Sequence, residues 1–341
     1  MKKDGIEQYH NILSSNGANF AKIIATFCVV LVHSHNIFGY AQISEDKLSI
    51  LRGFETIAFS GVPIFFLLSG YFLMLKDNWN WKTNIRKKTR SLLIPYCCFI
   101  TVYTIINCIG YHIAPNMFDN YKAFSVGDWF ERLIGQPFVS APHFYDPLWF
   151  LRDLFILNLM TILIVPIIKK CPDNILIPAL AIIWFLPIYP YMRQSIVFFI
   201  LGMSFGNKSK LPLIRSPLLL FFLFGIGFVL PIIVSGDYSM QFALLPMILF
   251  ILSISEKLIK QPKIVHYSHL LIPFNFPVYL THGYLLTLIQ RIVIMKVHPC
   301  FLSVIILYLL LPFVIVALCI LLSFIWKKTL PTTYSIFIGG H

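Results

Sequence analysis

The sequence is 341 residues long, 58% of them hydrophobic and 12% charged, and its mean hydropathy is +0.78. A soluble globular domain carries about twice that charged fraction, so this composition excludes an ordinary soluble protein and indicates a polytopic membrane protein. The formal net charge of +13 would suit nucleic-acid binding, but the positions of the cations along the chain explain the charge as membrane topology, and no nucleic-acid partner is expected.

Apolar runs of membrane-spanning length recur along the whole chain. A span needs roughly 17 to 25 apolar residues, and this criterion predicts an all-α protein with about ten transmembrane helices. Turn-like links at 190–193 and 235–239 separate neighbouring spans. The predicted spans are 21–40, 56–75, 91–112, 147–168, 174–190, 193–206, 214–234, 238–255, 273–294 and 300–326.

Lysine and arginine fall mainly in alternate loops between these spans. If the N-terminus is cytoplasmic, most of the 27 cations face the cytoplasm, so the positive-inside rule predicts that both termini are cytoplasmic. We therefore expect a cytoplasmic segment 1–20, a transmembrane domain 21–328 and a short cytoplasmic tail 329–341. A cleaved signal peptide over residues 1–41 is disfavoured, because many polar residues precede its apolar core.

The first span, AKIIATFCVVLVHSH at 21–35, has a cation at its start and a histidine deep inside it. Lys22 and His33 are eleven residues apart, so on an α-helix they share one face and lie roughly 16 Å apart along the axis. A buried imidazole in a bilayer favours function, although bonding to a neighbouring carbonyl is the structural alternative. Histidine suits removal of a proton from a hydroxyl, and lysine suits a phosphate; their separation is comparable to the reach from the phosphates of coenzyme A to its thioester.

Small and basic residues follow in the next two spans. Ser69 and Gly70 permit close approach of either a ligand or a neighbouring helix, and both interpretations stay open. The basic run 86–90 precedes the third span, where it signals topology and also offers charge to the phosphates of a CoA molecule.

Two ionisable residues lie inside the fourth span. Arg152 and Asp153 are about 8 Å from its start, and helical neighbours point apart, so each is expected to find a partner on another helix or in a wet cavity. Arg152 would hold an acceptor sugar or polarise the thioester carbonyl, with Trp149 as a stacking face. The structural alternative is an interhelical ion pair, for example with Glu55.

Later and outer polar positions complete the set of candidates. His282 lies mid-span after two prolines whose missing donors open a polar pocket, where it would assist His33 or bind the acceptor. Asn36 follows His33 on a similar face and would orient a reacting group. In the outer segment 113–146, DWFERLIG predicts a short interfacial helix capped by Ser125 or Asp128.

Five stretches, taken in order, resemble the acyltransferase-3 family of integral membrane acyltransferases. The family pattern near the N-terminus is Arg or Lys, ten residues, then His, which Lys22 and His33 match. Lys87 and Arg90 match a basic pair three residues apart. The other similar stretches are FSGVPIFFLLSGYFLMLK at 59–76, RKKTRSLLIPY at 86–96, PLWFLRDLFILNL at 147–159 and FPVYLTHGYLL at 276–286.

The resemblance implies transfer of an acyl group, usually acetyl, from cytoplasmic acyl-CoA to a hydroxyl of an exported or cell-envelope carbohydrate or lipid-linked glycan. The expected setting is the lipid of a bacterial inner membrane. His33 corresponds to the family histidine that activates the acceptor. Lys22 stands where many members have Arg, so a bidentate phosphate contact is lost there. The seven cysteines show no ligand spacing, and no metal is expected.

Residue-level arguments and the resemblance together predict three groups of site residues. The catalytic group is His33, Arg152 and His282; the donor-binding group is Lys22, Ser69, Gly70, Lys87 and Arg90; the acceptor-binding group is Asn36 and Trp149. The rival hypothesis is a glycan or lipid transporter or flippase that needs no acyl-CoA. Repeated halves with broken helices would favour a transporter, and the sequence shows no such symmetry. Within the resemblance, succinyl transfer, amino-acid acylation and a catalytically silent exporter also stay open.

Overall fold

A computed structural model describes residues 13–43, 51–76, 79–113, 125–135, 146–234, 237–297 and 300–340. The predicted segment 1–20 is described only from residue 13, and residues 114–124 and 136–145 of the outer segment lie outside the described part. Within the described ranges the elements are helical and none is a strand, which confirms the all-α fold class. The α-helices are α1 (Ser15–Ser34), α2 (Asn36–Tyr40), α3 (Arg52–Phe59), α4 (Gly61–Met74), α5 (Trp81–Lys88), α6 (Ile94–Ile113), α7 (Val126–Ile134), α8 (Trp149–Lys170), α9 (Asp173–Phe185), α10 (Pro190–Asn207), α11 (Pro217–Ile233), α12 (Asp237–Leu258), α13 (Pro262–Val297), α14 (Phe301–Thr329) and α15 (Pro331–Phe337).

Six of the ten predicted spans meet the length and composition of a membrane-crossing helix. Their helical stretches in the described part are Ser15–Gly39, Arg52–Met74, Trp81–Ile113, Trp149–Lys170, Tyr238–Leu258 and Phe301–Thr329. The other four predicted spans coincide with α9, α10, α11 and α13. For those four, crossing of the membrane stays a prediction, as does the cytoplasmic orientation of both termini.

Helix α1 lies at the centre of the bundle and packs against α3, α4, α12, α13 and α14. Its N-terminus is capped by Ser14, whose Oγ accepts a hydrogen bond from the Gly17 amide at 2.9 Å. Glu256, at the end of α12, accepts from both the amide and the hydroxyl of Ser14 at 3.0 and 2.9 Å. A carboxylate at a helix N-terminus also interacts favourably with the helix dipole, so this contact ties the ends of α1 and α12 together.

Helices α4 and α10 approach closely because glycines face backbone across their interface. A Cβ at Gly70 would overlap the Phe199 carbonyl oxygen, and a Cβ at Gly202 would overlap the Leu67 carbonyl oxygen. Small residues allow this close packing of helices in membranes. Of the two interpretations left open for Gly70, the structure shows the helix contact.

One local feature was predicted from the sequence, and another was found only in the structure. The short helix in the outer segment is confirmed as α7, with Ser125 as its cap and Asp128 completing a capping box. The third span contains a π-helical segment, Thr89–Leu93, between α5 and α6. A π-helical turn holds more residues than an α-helical turn, so it rotates the residues after it relative to those before it.

Candidate active site

Two histidines from different helices meet inside the bundle. His33 lies in the last turn of α1 and His282 in the middle of α13, and their ring centroids are 5.4 Å apart. His282 is fully buried, whereas His33 is partly accessible. The two residues are 249 positions apart in the sequence, and the packing of α13 against α1 brings them together, as the predicted assistance of His33 by His282 requires.

The hydrogen bonds of His282 fix which of its ring nitrogens carries the hydrogen. Nδ1 lies 3.1 Å from the carbonyl oxygen of Val278 and 2.7 Å from that of Tyr279. A carbonyl oxygen only accepts, so Nδ1 of the neutral ring must donate and Nε2 must carry the lone pair. Nε2 is buried and has no hydrogen-bond partner among the described residues. The site therefore contains a buried proton acceptor held in a fixed orientation.

Four lysines gather at the other end of α1. Lys22 lies about three turns from His33 along α1, roughly 16 Å for eleven residues, and its Nζ is 5.6 Å from the centroid of the Phe72 ring. Lys88 is close enough to Lys22 and Lys76 for their charges to interact, and Lys76 interacts in the same way with Lys87. We call Lys22, Lys76, Lys87 and Lys88 the lysine cluster.

The positive charges of the lysine cluster lie close to one another and determine which ligand it can bind. Burial, and then the neighbouring charge of Lys87, lower the pKa of Lys76, which lies outside the membrane-spanning helices. Lys87 is exposed, so the lysine cluster is accessible to a ligand. Within the described residues, no salt bridge joins these ammonium groups to a carboxylate. Crowded ammonium groups are suited to a multiply charged anion such as a phosphate ester.

Sequence reasoning placed Lys87 and Lys88 in the basic run 86–90 but missed Lys76. It favoured Arg90 because of its spacing from Lys87, whereas in the structure Arg90 lies within the π-helical segment Thr89–Leu93. A Cβ at Gly340 would lie 3.3 Å from Nε and Nη2 of Arg90, so the guanidinium lies beside the C-terminal segment. A signal for Lys76 was its position at the end of the FSGVPIFFLLSGYFLMLK stretch, just past Ser69 and Gly70.

Arg152 and Asp153 pair with each other, which corrects the expectation that helical neighbours cannot do so. Nε of Arg152 lies 2.9 Å from Oδ1 of Asp153, and both residues are buried. The long arginine side chain bends back along the helix, so the 100° between the two Cβ directions does not prevent contact. The suggested partner Glu55 is instead 3.1 Å from Nδ1 of His35.

The start of α8 lies next to the histidine pair. The Tyr279 hydroxyl donates to the carbonyl of Pro147, just before α8, and the Tyr279 ring centroid is 6.0 Å from that of His282. This contact joins the turn of α13 that holds His282 to the segment that precedes Arg152. Arg152 itself also interacts with Tyr96 of α6.

The two predicted acceptor ligands occupy different environments. Trp149 is buried, with its ring centroid 4.4 Å from that of Tyr191 and 6.1 Å from that of Phe66. Asn36 is exposed and begins α2, after an interruption of the helix at His35. Ser69 is partly buried on α4. The roles of these three residues stay predictions.

Comparisons with known proteins identify the family of this sequence. The sequence matches a family described as an acyltransferase domain over residues 15–324, which is most of the chain. It is 29% identical over 210 residues to the succinoglycan biosynthesis protein ExoH of Rhizobium meliloti (strain 1021). That match covers 57% of this chain and 53% of the relative, so it spans about half the length of the relative. No solved structure matches the chain.

Proposed function

We propose that this chain, which belongs to the acyltransferase-3 family, transfers an acyl group from cytoplasmic acyl-CoA to a hydroxyl of an exported or cell-envelope carbohydrate. The acyl group is most simply acetyl, and the setting is a bacterial inner membrane. The observation that carries the proposal is the pair His33 and His282, 5.4 Å apart inside the bundle. His33 of this pair lies on α1, the helix that also carries Lys22 of the lysine cluster.

The lysine cluster supports a binding site for the donor. A CoA molecule carries several phosphate charges, and ammonium groups from α1, α5 and the end of α4 would hold them at one end of the bundle. From there the thioester would extend along α1 towards His33, about 16 Å away. Donor binding and chemistry would then occupy two ends of one helix face.

The histidine pair supports acid–base chemistry on the acceptor. His33 would remove the proton of the acceptor hydroxyl as its oxygen attacks the thioester carbonyl carbon. The ester C–O bond forms, the C–S bond breaks, and the proton passes from His33 to the CoA sulfur. Nε2 of His282 would accept a hydrogen bond from the protonated ring of His33, because its Nδ1 is already held by the carbonyl oxygens of Val278 and Tyr279.

Arg152 is the proposed stabiliser of negative charge on the carbonyl oxygen in the transition state. It lies on α8, whose first residues follow the Pro147 carbonyl that Tyr279 contacts. Its pairing with Asp153 holds the guanidinium and offsets part of its charge. This role requires the thioester to reach the beginning of α8.

The experiment that tests the function uses purified protein in liposomes with cell-envelope glycan and radiolabelled acetyl-CoA. Succinyl-CoA is the second donor, because the similar ExoH protein is named for succinoglycan biosynthesis. Native protein is compared with His33→Ala and with His112→Ala, a histidine exposed at the end of α6. We expect label in the glycan with native protein and His112→Ala, and its loss with His33→Ala. If neither donor yields labelled glycan while the protein moves unmodified glycan across the bilayer, the chain is a transporter and the proposal fails.

A further inference from the structure

A buried glutamine caps the end of α1 beside the histidine pair. The helix is interrupted at His35, and the amide of Phe38 donates to the His35 carbonyl at 3.0 Å. The Ser34 carbonyl accepts instead from Nε2 of Gln290, on α13, at 2.9 Å. Gln290 is fully buried. The side chain therefore connects α13 to the residue that directly follows His33.

This contact fixes the orientation of the Gln290 amide group. The Ser34 carbonyl oxygen can only accept, so the amide nitrogen must face it and Oε1 must point away. Oε1 is buried and has no hydrogen-bond partner among the described residues. A buried acceptor in this state is expected to bond to a water molecule or a ligand, since unsatisfied polar groups are rare in protein interiors.

His282 presents the same chemistry two turns earlier on α13. Its Nδ1 is held by backbone carbonyls and its Nε2 is an unpartnered acceptor. Gln290 follows His282 by eight positions, about 12 Å along the helix axis. Both residues lie beside the last turn of α1, through His33 and Ser34 respectively.

The unused lone pair on Oε1 of Gln290 selects a ligand that donates a hydrogen bond. A hydroxyl group can donate to it, whereas a phosphate or carboxylate would face a lone pair and be repelled. The lysine cluster has the opposite preference, because ammonium groups only donate. The lysine cluster therefore favours an anionic ligand, whereas the region of Gln290 favours a ligand that carries hydroxyl groups.

We propose that Gln290 binds a hydroxyl group of the acceptor carbohydrate, next to the hydroxyl that is acylated at His33. This inference rests on the proposed function and adds a residue that positions the acceptor. Gln290 Oε1 accepts from the second hydroxyl, and the Ser34 carbonyl holds the amide in place. The acceptor must therefore carry at least two hydroxyl groups within reach of α13, as carbohydrates do.

The test measures transfer and hydrolysis in the same sample. Native protein, Gln290→Leu and the control Ser323→Ala are reconstituted in liposomes with radiolabelled acetyl-CoA and increasing amounts of cell-envelope glycan. Ser323 is buried on α14, and its hydroxyl donates to the Cys319 carbonyl of the same helix at 2.6 Å. Thiol release without glycan reports hydrolysis, label in the glycan reports transfer, and thermal unfolding verifies that each variant is folded.

We expect Gln290→Leu to raise the KM for glycan about tenfold, because one hydrogen bond to a hydroxyl is lost. The KM for acetyl-CoA and the hydrolysis rate should stay within about twofold of native values. Ser323→Ala should behave as native. If transfer and hydrolysis fall together in Gln290→Leu, the residue only supports the helix, and the inference is wrong. An unchanged KM for glycan also overturns it. If native protein itself transfers no label from either CoA ester, the proposed function fails first and this inference fails with it.

A conservative variant separates positioning from packing. In Gln290→Glu, a protonated carboxyl can donate to the Ser34 carbonyl and still offer an acceptor oxygen, whereas an ionised carboxylate cannot donate. We expect transfer by this variant to recover as the pH is lowered, relative to native protein at the same pH, with hydrolysis unchanged. Recovery of both rates in parallel would indicate a structural role only and contradict the proposal.

Discussion

The lysine cluster and the histidine pair each include one residue of α1, Lys22 and His33 respectively, but the two regions have opposite character. The lysine cluster consists of cations that donate hydrogen bonds, and Lys87 in it is exposed. His282 of the histidine pair and the nearby Gln290 are fully buried, and each offers a lone pair that has no partner among the described residues. The difference supports the proposal that an anionic donor is bound near Lys22 and a hydroxyl is activated near His33, at two positions along α1. Substitutions in the two regions should therefore change different kinetic constants.

The largest expected effect is on the chemical step. His282→Ala should lower kcat by about 10²- to 10⁴-fold, the usual contribution of a group in acid–base catalysis, with little change in the KM for acyl-CoA. The measurement is single-turnover acyl transfer at saturating donor. His269→Ala, an exposed histidine on the same helix, is the control and should act as native. A rise in donor KM for His282→Ala with unchanged kcat would remove the distinction between the two regions.

A second substitution tests whether Gly70 serves packing or the donor. Gly70→Val should destabilise the protein by about 1–3 kcal/mol, because the new side chain overlaps the backbone of α10 at Phe199. Gly225→Val is the matched control, since a Cβ there meets nothing within 4 Å. Thermal unfolding in detergent measures the difference. A stable Gly70→Val protein with a raised KM for acyl-CoA would instead support donor binding at Gly70.

The third prediction concerns the lysine cluster. Lys22→Ala and Lys88→Ala should each raise the KM for acyl-CoA about tenfold, the loss of about 1.4 kcal/mol of binding, and leave kcat almost unchanged. Added salt should weaken donor binding by native protein more than by either variant, because screening acts on the same charges. Lys169→Ala, an exposed lysine at the end of α8, controls for general loss of charge. Equal sensitivity to salt in all four proteins would contradict a phosphate site here.

The smallest expected effect is a pH dependence of donor binding. Burial and the charge of Lys87 lower the pKa of Lys76, so its charge is lost at a lower pH than for an ordinary lysine. Donor affinity should therefore decrease as the pH rises through that pKa. Lys76→Arg keeps its charge, so its KM for acyl-CoA should rise less over the same range and be about twofold below that of native protein at the alkaline end. Parallel curves for the two proteins would exclude Lys76 from donor binding.

Hydropathy and spacing predicted much of the fold and one part of the site. The apolar runs identified the helical segments, and the eleven-residue spacing of Lys22 and His33 depends only on the geometry of α1. The capping signal at Ser125 was sufficient for α7, because it acts between residues three apart. Interactions that are local in sequence were therefore predictable.

Other parts of the site depend on contacts between distant helices or on irregular backbone. The π-helical segment carries no glycine or proline that would mark it, so the sequence did not predict the irregular backbone at Arg90. Gln290, next to Arg291 near the end of a predicted span, resembled an ordinary border residue. Its importance arises from the interruption at His35, which leaves the Ser34 carbonyl to Gln290. A pattern of residue types contains no information on that contact.

The separation of donor binding from chemistry along α1 can be tested without any acceptor. Equilibrium binding of CoA by native protein, His33→Ala and Lys22→Ala in the same detergent measures it directly. The account predicts that His33→Ala binds CoA within about twofold of native, whereas Lys22→Ala binds about tenfold more weakly. Loss of CoA binding in His33→Ala, or native affinity in Lys22→Ala, would contradict the account.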